Sequence, residues 1–122
     1  IFYAKQGKDK GYIRKYIENN YEYRLNRTCD EIRPYYHHVE SCQETVPEAI
    51  IAFLEGNSFE EVIRLAVSIG GDSDTLAAIA GSIAEAYYPI PEELRSKAIS
   101  MLDDELKVIF NSYCEFLKDI HK

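Results

Sequence analysis

Asp72, Asp74 and Thr75 fall within one short stretch, directly after Gly70-Gly71 and directly before a run of small apolar residues. Two carboxylates and a hydroxyl at this spacing can aim oxygen at one point. An all-oxygen donor set suits a hard divalent cation such as Mg²⁺ and suits zinc poorly. The glycines permit positive φ, so the chain can leave one helix and present these side chains before entering the next. The same residues can also be read as punctuation, because Asp and Thr cap helix N-termini and glycine stops helices. Context favours the metal reading. Two acids stand where one cap would suffice, and a cation relieves the repulsion between them. The run that follows, from Leu76 to Ala84, reads as a helix buried on most sides, which would hold the loop in a fixed place.

Two other groups of residues could bind a ligand. Ser41-Cys42-Gln43-Glu44 is expected in a loop ahead of a helix, where binding residues often sit, although Cys42 reads equally well as a small buried residue. Tyr35-Tyr36-His37-His38 offers rings that could stack on a purine. Its adjacent histidines point to different sides of a helix or strand and so make a poor joint metal site.

Composition narrows the class. At 122 residues, 46% hydrophobic and 29% charged, the chain is long enough for one domain with a real core and too apolar to be disordered. A net charge of −7 argues against nucleic acid or an anionic membrane as the main partner. No apolar run approaches the roughly 20 residues a bilayer span needs, and no signal peptide is expected. Three widely spaced cysteines fit neither a zinc site nor a disulfide framework, so the expected compartment is the reducing cytoplasm. The chain opens at Ile1-Phe2-Tyr3-Ala4, in apolar sequence and without Met, and the expectation is that an upstream portion is missing.

The periodicities are helical throughout, and no alternating strand pattern competes. Tyr12, Ile13, Tyr16 and Ile17 share one face of a helix over 9–20. Capping boxes are expected at Thr28-Cys29-Asp30-Glu31, Thr45-Val46-Pro47-Glu48 and Ser58-Phe59-Glu60-Glu61. The helix of Ala49 to Leu54 is apolar all round and should be central, with Gly56 as its stop. Phe59, Val62, Ile63, Ala66 and Ile69 should point inward, and Ala77, Gly81 and Ala84 offer a ridge that a neighbouring helix can approach closely. Pro91 should open a helix at its first position and Asp103 or Asp104 should cap the last one. In that last helix Leu106, Ile109, Phe110, Tyr113, Phe116, Leu117 and Ile120 should form a buried stripe. The expected architecture is a single all-α domain over 1–122, a compact helical bundle.

The string Cys42-x-x-Thr45-Val46-Pro47-x-Ala49, then Ser58-Phe59-Glu60-Glu61, then Ile69-Gly70-Gly71-Asp72-Ser73-Asp74-Thr75 resembles the C-terminal part of ADP-ribosylglycohydrolases. Ala77 to Ala84 and Ala86-Tyr87-Tyr88 match it too, as do Gln6-Gly7-Lys8 and Glu31-Ile32-Arg33-Pro34. The resemblance implies an all-α fold with a two-ion Mg²⁺ site, Mn²⁺ in some members. It implies hydrolysis of the glycosidic bond joining ADP-ribose to a protein side chain or small acceptor. Asp72, Asp74 and Thr75 match metal ligands of the family, and Ser41, Cys42 and Ser73 are the candidate substrate contacts. The family's N-terminal Thr/Ser-Asp-Asp motif has no counterpart here: Asp103-Asp104 follows Leu102 and comes too late. The chain would therefore hold about half of a site, with no catalytic base assigned, and would bind Mg²⁺ weakly and turn over poorly alone. A missing N-terminal portion or another copy is the expected protein partner. The alternatives are a non-catalytic module binding ADP-ribose or a similar nucleotide, or a purely structural helical domain.

Overall fold

The computed structural model describes residues 1–120, in which every regular element is helical. The helices are α1 (Phe2–Lys5), α2 (Lys10–Asn20), α3 (Cys29–Ile32), α4 (Cys42–Glu55), α5 (Phe59–Ile69), α6 (Ser73–Tyr87), α7 (Glu92–Ser100) and α8 (Asp104–Ile120). They divide into two units, Ile1–Pro89 and a second that begins at Ile90. Among the described residues no helix is long and apolar enough to cross a membrane.

The first unit is built around α4. Thr45 and every residue from Pro47 to Phe53 are buried, so the helix that is apolar on all sides does occupy the centre. α5 and α6 pack on it and on each other, and Phe53, Ile51, Ile69, Leu76 and Val62 are the largest side chains fully withdrawn from water. Close approach of α5 to α6 depends on Gly81: a β-carbon there would sit 2.9 Å from Ile63 Cδ1. The small-residue ridge is thus used as its composition predicts.

The start of α4 differs from expectation. The Ser41 carbonyl accepts from the amides of both Glu44 and Thr45, so the helix opens at Cys42, a turn earlier than the Thr45-x-x-Glu48 box implies. Thr45 and Glu48 face inward instead of capping, and Pro47 lies inside the helix. Burial of an inward Thr and Glu outweighs a local capping preference. Ser41 is the N-cap residue, without a side-chain cap bond, and Cys42, Gln43 and Glu44 form the first turn, not a loop.

Two of the three expected boxes are seen at least in part. Thr28 and Glu31 exchange both bonds at the start of α3. At α5, the Ser58 hydroxyl accepts from the Glu61 amide, but the Glu61 carboxylate reaches one residue further back, to the amide of Asn57 at 2.9 Å.

The C-terminus of α4 is held by a side chain from a distant helix. Lys10 Nζ donates to the carbonyls of Leu54, at 3.1 Å, and of Gly56, and it lies 5.1 Å from the ring centre of Phe53 and 5.2 Å from that of Tyr88. The Tyr88 hydroxyl donates to the same Gly56 carbonyl. A cation at a helix C-terminus satisfies orphan carbonyls and opposes the dipole. Lys10→Met keeps the length of the side chain and removes every donor. It is expected to cost about 1–3 kcal/mol, read as a lower midpoint in urea with an unchanged slope.

In the second unit, Pro91 is the N-cap residue of α7, one position earlier than expected, and Asp103 caps α8 by accepting from the Leu106 amide at 2.8 Å. The apolar stripe of α8 is present in sequence but not buried: no residue of α8 is, and Ile109 is 63% exposed. Inside this unit the nine-residue α7, itself without a buried residue, cannot cover so long a face. Arg95 over the Phe110 ring, 5.9 Å from its centre, is one contact within it.

Candidate metal-binding loop and adjoining cleft

The loop between α5 and α6 owes its path to two glycines with positive φ, Gly70 at 86° and Gly71 at 60°. Gly70 ends α5, its amide bonded to the Val67 carbonyl. Gly71 has a second task. A β-carbon there would lie 2.8 Å from Tyr36 Cε1 and 2.9 Å from the carbonyl carbon and oxygen of His37. The segment after α3 is therefore pressed against the loop. Arg33 fastens it from behind, donating to the Ser68 carbonyl and hydroxyl at 2.9 Å each, while pairing with Asp30 at 2.6 Å.

The Asp72 carboxyl has the side chains of Asp74 and Thr75 as neighbours. The Asp72 carboxyl is held below the usual carboxylate range, first by a hydrogen bond with Asp74 and then by the Thr75 hydroxyl; the nearby His38 adds to this. By linkage, a carboxyl depressed in this way favours the fold above the ordinary carboxylate range, and that benefit is lost as pH falls through its lower folded value. A hydrogen bond between two carboxyls exists only while one of them holds a proton. Carboxylates placed side by side repel, and a cation relieves such repulsion. Asp72 occupies the N-cap position of α6 without a side-chain cap bond, and the Thr75 amide exerts the smallest of the named effects on it.

The helix behind the loop is less enclosed than its composition implies. Leu76, Ala80 and Ala84 form one buried stripe, whereas Asp74, Thr75, Ala78 and Ser82 face outward. One stripe suffices to anchor the first turn, because Leu76 directly follows Thr75 and is fully buried.

The donors fit a hard cation in kind, being carboxylate and hydroxyl oxygens. Among the described residues no three His, Cys, Asp or Glu side chains are arranged to hold a metal. Ser73 lies in the first turn of α6, between the two acids. Ser41 and Cys42 lie at the start of α4; the Ser41 hydroxyl donates to Gln43 Oε1 at 3.0 Å, and no hydrogen bond between them and the loop is seen among the described residues.

A cleft of about 610 Å³ adjoins the loop, sharing Tyr36 and His37 as a wall; Arg27, Gln43, Glu44 and Glu48 also line it. At its edge of α4, Glu48 is buried and accepts from Arg27 Nη2 at 2.7 Å; burial raises its carboxyl above the ordinary value, against the opposing pull of Arg27. Sequence reasoning did not foresee that Tyr36 and His37 pack against Gly71. The signal for them was the second glycine: one glycine ends a helix, and another beside it marks a close approach.

The cysteines separate by environment. Cys29 is fully buried, and burial with a contact from Glu55 pushes its thiol up to about 12; Cys42 is exposed. At pH 8 Cys29 is almost wholly protonated and shielded, hence a poor nucleophile. Iodoacetamide should label Cys42 in the native chain and reach Cys29 only on unfolding, as peptide mass spectrometry would show. Native labelling of Cys29 would contradict its placement.

Comparison with known proteins points to one family. The family pattern described as ADP-ribosylglycohydrolase matches residues 6–115. The human protein called ADP-ribosylhydrolase ARH3 is 47% identical over 47 residues, 38% of this chain and 12% of its own length. The mouse protein of that name is 45% identical over 47 residues, with the same coverage. An uncharacterized protein of Archaeoglobus fulgidus is 43% identical over 53 residues, 43% of this chain and 17% of its own. The matched stretches thus span less than a fifth of these curated relatives. No solved structure gives a significant match. With a pattern that covers most of its length and the Gly-Gly-Asp-Ser-Asp-Thr loop folded as described, the chain belongs to the ADP-ribosylglycohydrolase family.

Proposed function

We propose that this chain is part of a metal-dependent hydrolase that removes ADP-ribose from modified protein side chains or small acceptors. It would contribute about half of a two-Mg²⁺ site, with Mn²⁺ as the alternative ion. The observation that carries this reading is that the Asp72 carboxyl has Asp74 and Thr75 as neighbours and makes no capping bond. Family membership and the names of the relatives support the reaction class.

In this reading Asp72, Asp74 and Thr75 hold a divalent cation. Such a cation supplies positive charge that can orient ribose hydroxyls and water and offset charge as the glycosidic bond breaks. The chain's own residues do the positioning. Gly70 and Gly71 turn the loop, Leu76 anchors the first turn of α6, and the Tyr36–His37 backbone buttresses the loop from the side. Ser73, Ser41 and Cys42 are proposed substrate contacts. Two carboxylates cannot offset two divalent ions, so the remaining ligands and the catalytic base would come from a complementary N-terminal portion or another copy.

The test is release of ADP-ribose from ADP-ribosylated protein, with Mg²⁺, by the chain alone and by the chain joined to a family N-terminal segment bearing the Thr/Ser-Asp-Asp motif. Turnover by the joined protein, with little by the chain alone, is expected. Binding of ADP-ribose without turnover in the joined protein would instead make this a nucleotide-binding module.

A further inference from the structure

The loop that carries Asp72 and Asp74 has little support of its own. Two glycines with positive φ turn it, and glycine is the residue least able to hold a chain to one path. Among the described residues nothing lies within 4 Å of the place a β-carbon at Gly70 would take. The loop is therefore held from its flanks, at Ser68 and at Gly71, and both holds come from one stretch of chain after α3. Arg33 Nε donates to the Ser68 carbonyl and Nη2 to the Ser68 hydroxyl, each at 2.9 Å. That carbonyl lies in the last turn of α5, where helical amides run out. Further along, Tyr36 and His37 press on Gly71. The connection between the two holds is stiff: Pro34 fixes its own φ, and the amides of Tyr35 and Tyr36 both bond to the Ile32 carbonyl at 3.0 Å. Arg33 also pairs with Asp30, but that carboxylate is 83% exposed, so the pair adds little.

We propose that Arg33 is a positioning residue for the metal-binding loop: by tying α3 to the last turn of α5, it sets where Asp72 and Asp74 present their oxygens, and with that the loop's affinity for a divalent cation. The inference rests on the metal reading of the loop. What acts is the shape of the guanidinium, whose Nε–Nη2 edge meets the carbonyl and the hydroxyl of one residue together, which the compact ammonium of a lysine cannot match. Charge alone would act the other way, because a fixed cation beside an acidic loop repels Mg²⁺ and its removal would tighten binding. Arg33→Lys therefore isolates the geometry, keeping the charge and losing the fork.

The experiment compares wild type with Arg33→Lys, with Asp30→Asn, and with Lys10→Met, which destabilises the first unit from the C-terminus of α4 and leaves both holds on the loop in place. Mg²⁺ affinity is read from amide shifts. Exchange of the Leu76 amide, which bonds to the Asp72 carbonyl at 3.1 Å, is read without metal. Arg33→Lys should weaken Mg²⁺ binding about threefold to tenfold, since it acts one contact further out than the ligand partners whose loss costs about tenfold or more. Its Leu76 amide should exchange at least about threefold faster. Asp30→Asn and Lys10→Met should leave both readouts unmoved. A lowered melting temperature with unchanged Mg²⁺ affinity in Arg33→Lys would make the residue merely structural and overturn the proposal, with the metal reading intact; equal losses in Lys10→Met would do the same. Should the wild type give no saturable response to Mg²⁺, the metal reading fails, and Leu76 exchange alone decides whether Arg33 positions the loop. Should Arg33→Lys not fold, Ser68→Ala, which removes only the hydroxyl acceptor, decides by the same two readouts.

Discussion

Gly71→Ala is expected to destabilise the first unit by about 2–4 kcal/mol, the sum of a positive-φ penalty and a steric one. For a domain of this size that lowers the melting temperature by on the order of 10 °C or more. The steric part is the informative one. At φ 60° the new β-carbon would meet Tyr36 Cε1 at 2.8 Å and the His37 carbonyl at 2.9 Å. A ring can swing away, but a carbonyl belonging to a chain pinned by Arg33 to Ser68 cannot move without dragging α3. Gly71→Asn separates the two costs, since Asn tolerates positive φ but still carries a β-carbon. It should be nearly as damaging as Ala. Recovery to near wild-type stability with Asn would mean that only φ mattered and that Tyr36 and His37 do not press on the loop.

The second large effect falls on binding. Asp72→Asn with Asp74→Asn should reduce Mg²⁺ affinity by at least about tenfold, since ligands matter more than the surrounding residues whose loss already costs tenfold to a hundredfold. Stability should change by less than about 0.5 kcal/mol, because Asn caps a helix as well as Asp does. Asp72 makes no side-chain cap bond. Hydrolysis by the chain joined to a family N-terminal segment should fall in step with metal occupancy and recover partly at high Mg²⁺. A stability loss with unaltered metal response would return these acids to the role of helix punctuation.

Much of this was legible before the structure, for identifiable reasons. The centrality of α4 follows from its apolar run, because a helix without a polar face has nowhere else to go. That Asp74 and Thr75 neighbour Asp72 follows from spacing alone, since residues within one turn need no tertiary contact to meet. Long-range contacts were not legible. Lys10 reaches the end of α4 across 44 residues and Arg33 reaches Ser68 across 35, and no local pattern announces either. The early start of α4 was missed because Thr45-x-x-Glu48 has the form of a cap, while the inward burial of both residues depends on what packs around them. For α8 the apolar period correctly indicated a helix, but periodicity names a face and not what covers it.

The most direct measurement is a Mg²⁺ titration of the chain, followed by amide chemical shifts. The account predicts saturable, weak, millimolar-scale binding, with shifts centred on Gly70 to Thr75 that vanish in the Asp72→Asn, Asp74→Asn variant. Shifts spread evenly over the acidic surface, or tight binding of two ions by this chain alone, would contradict it.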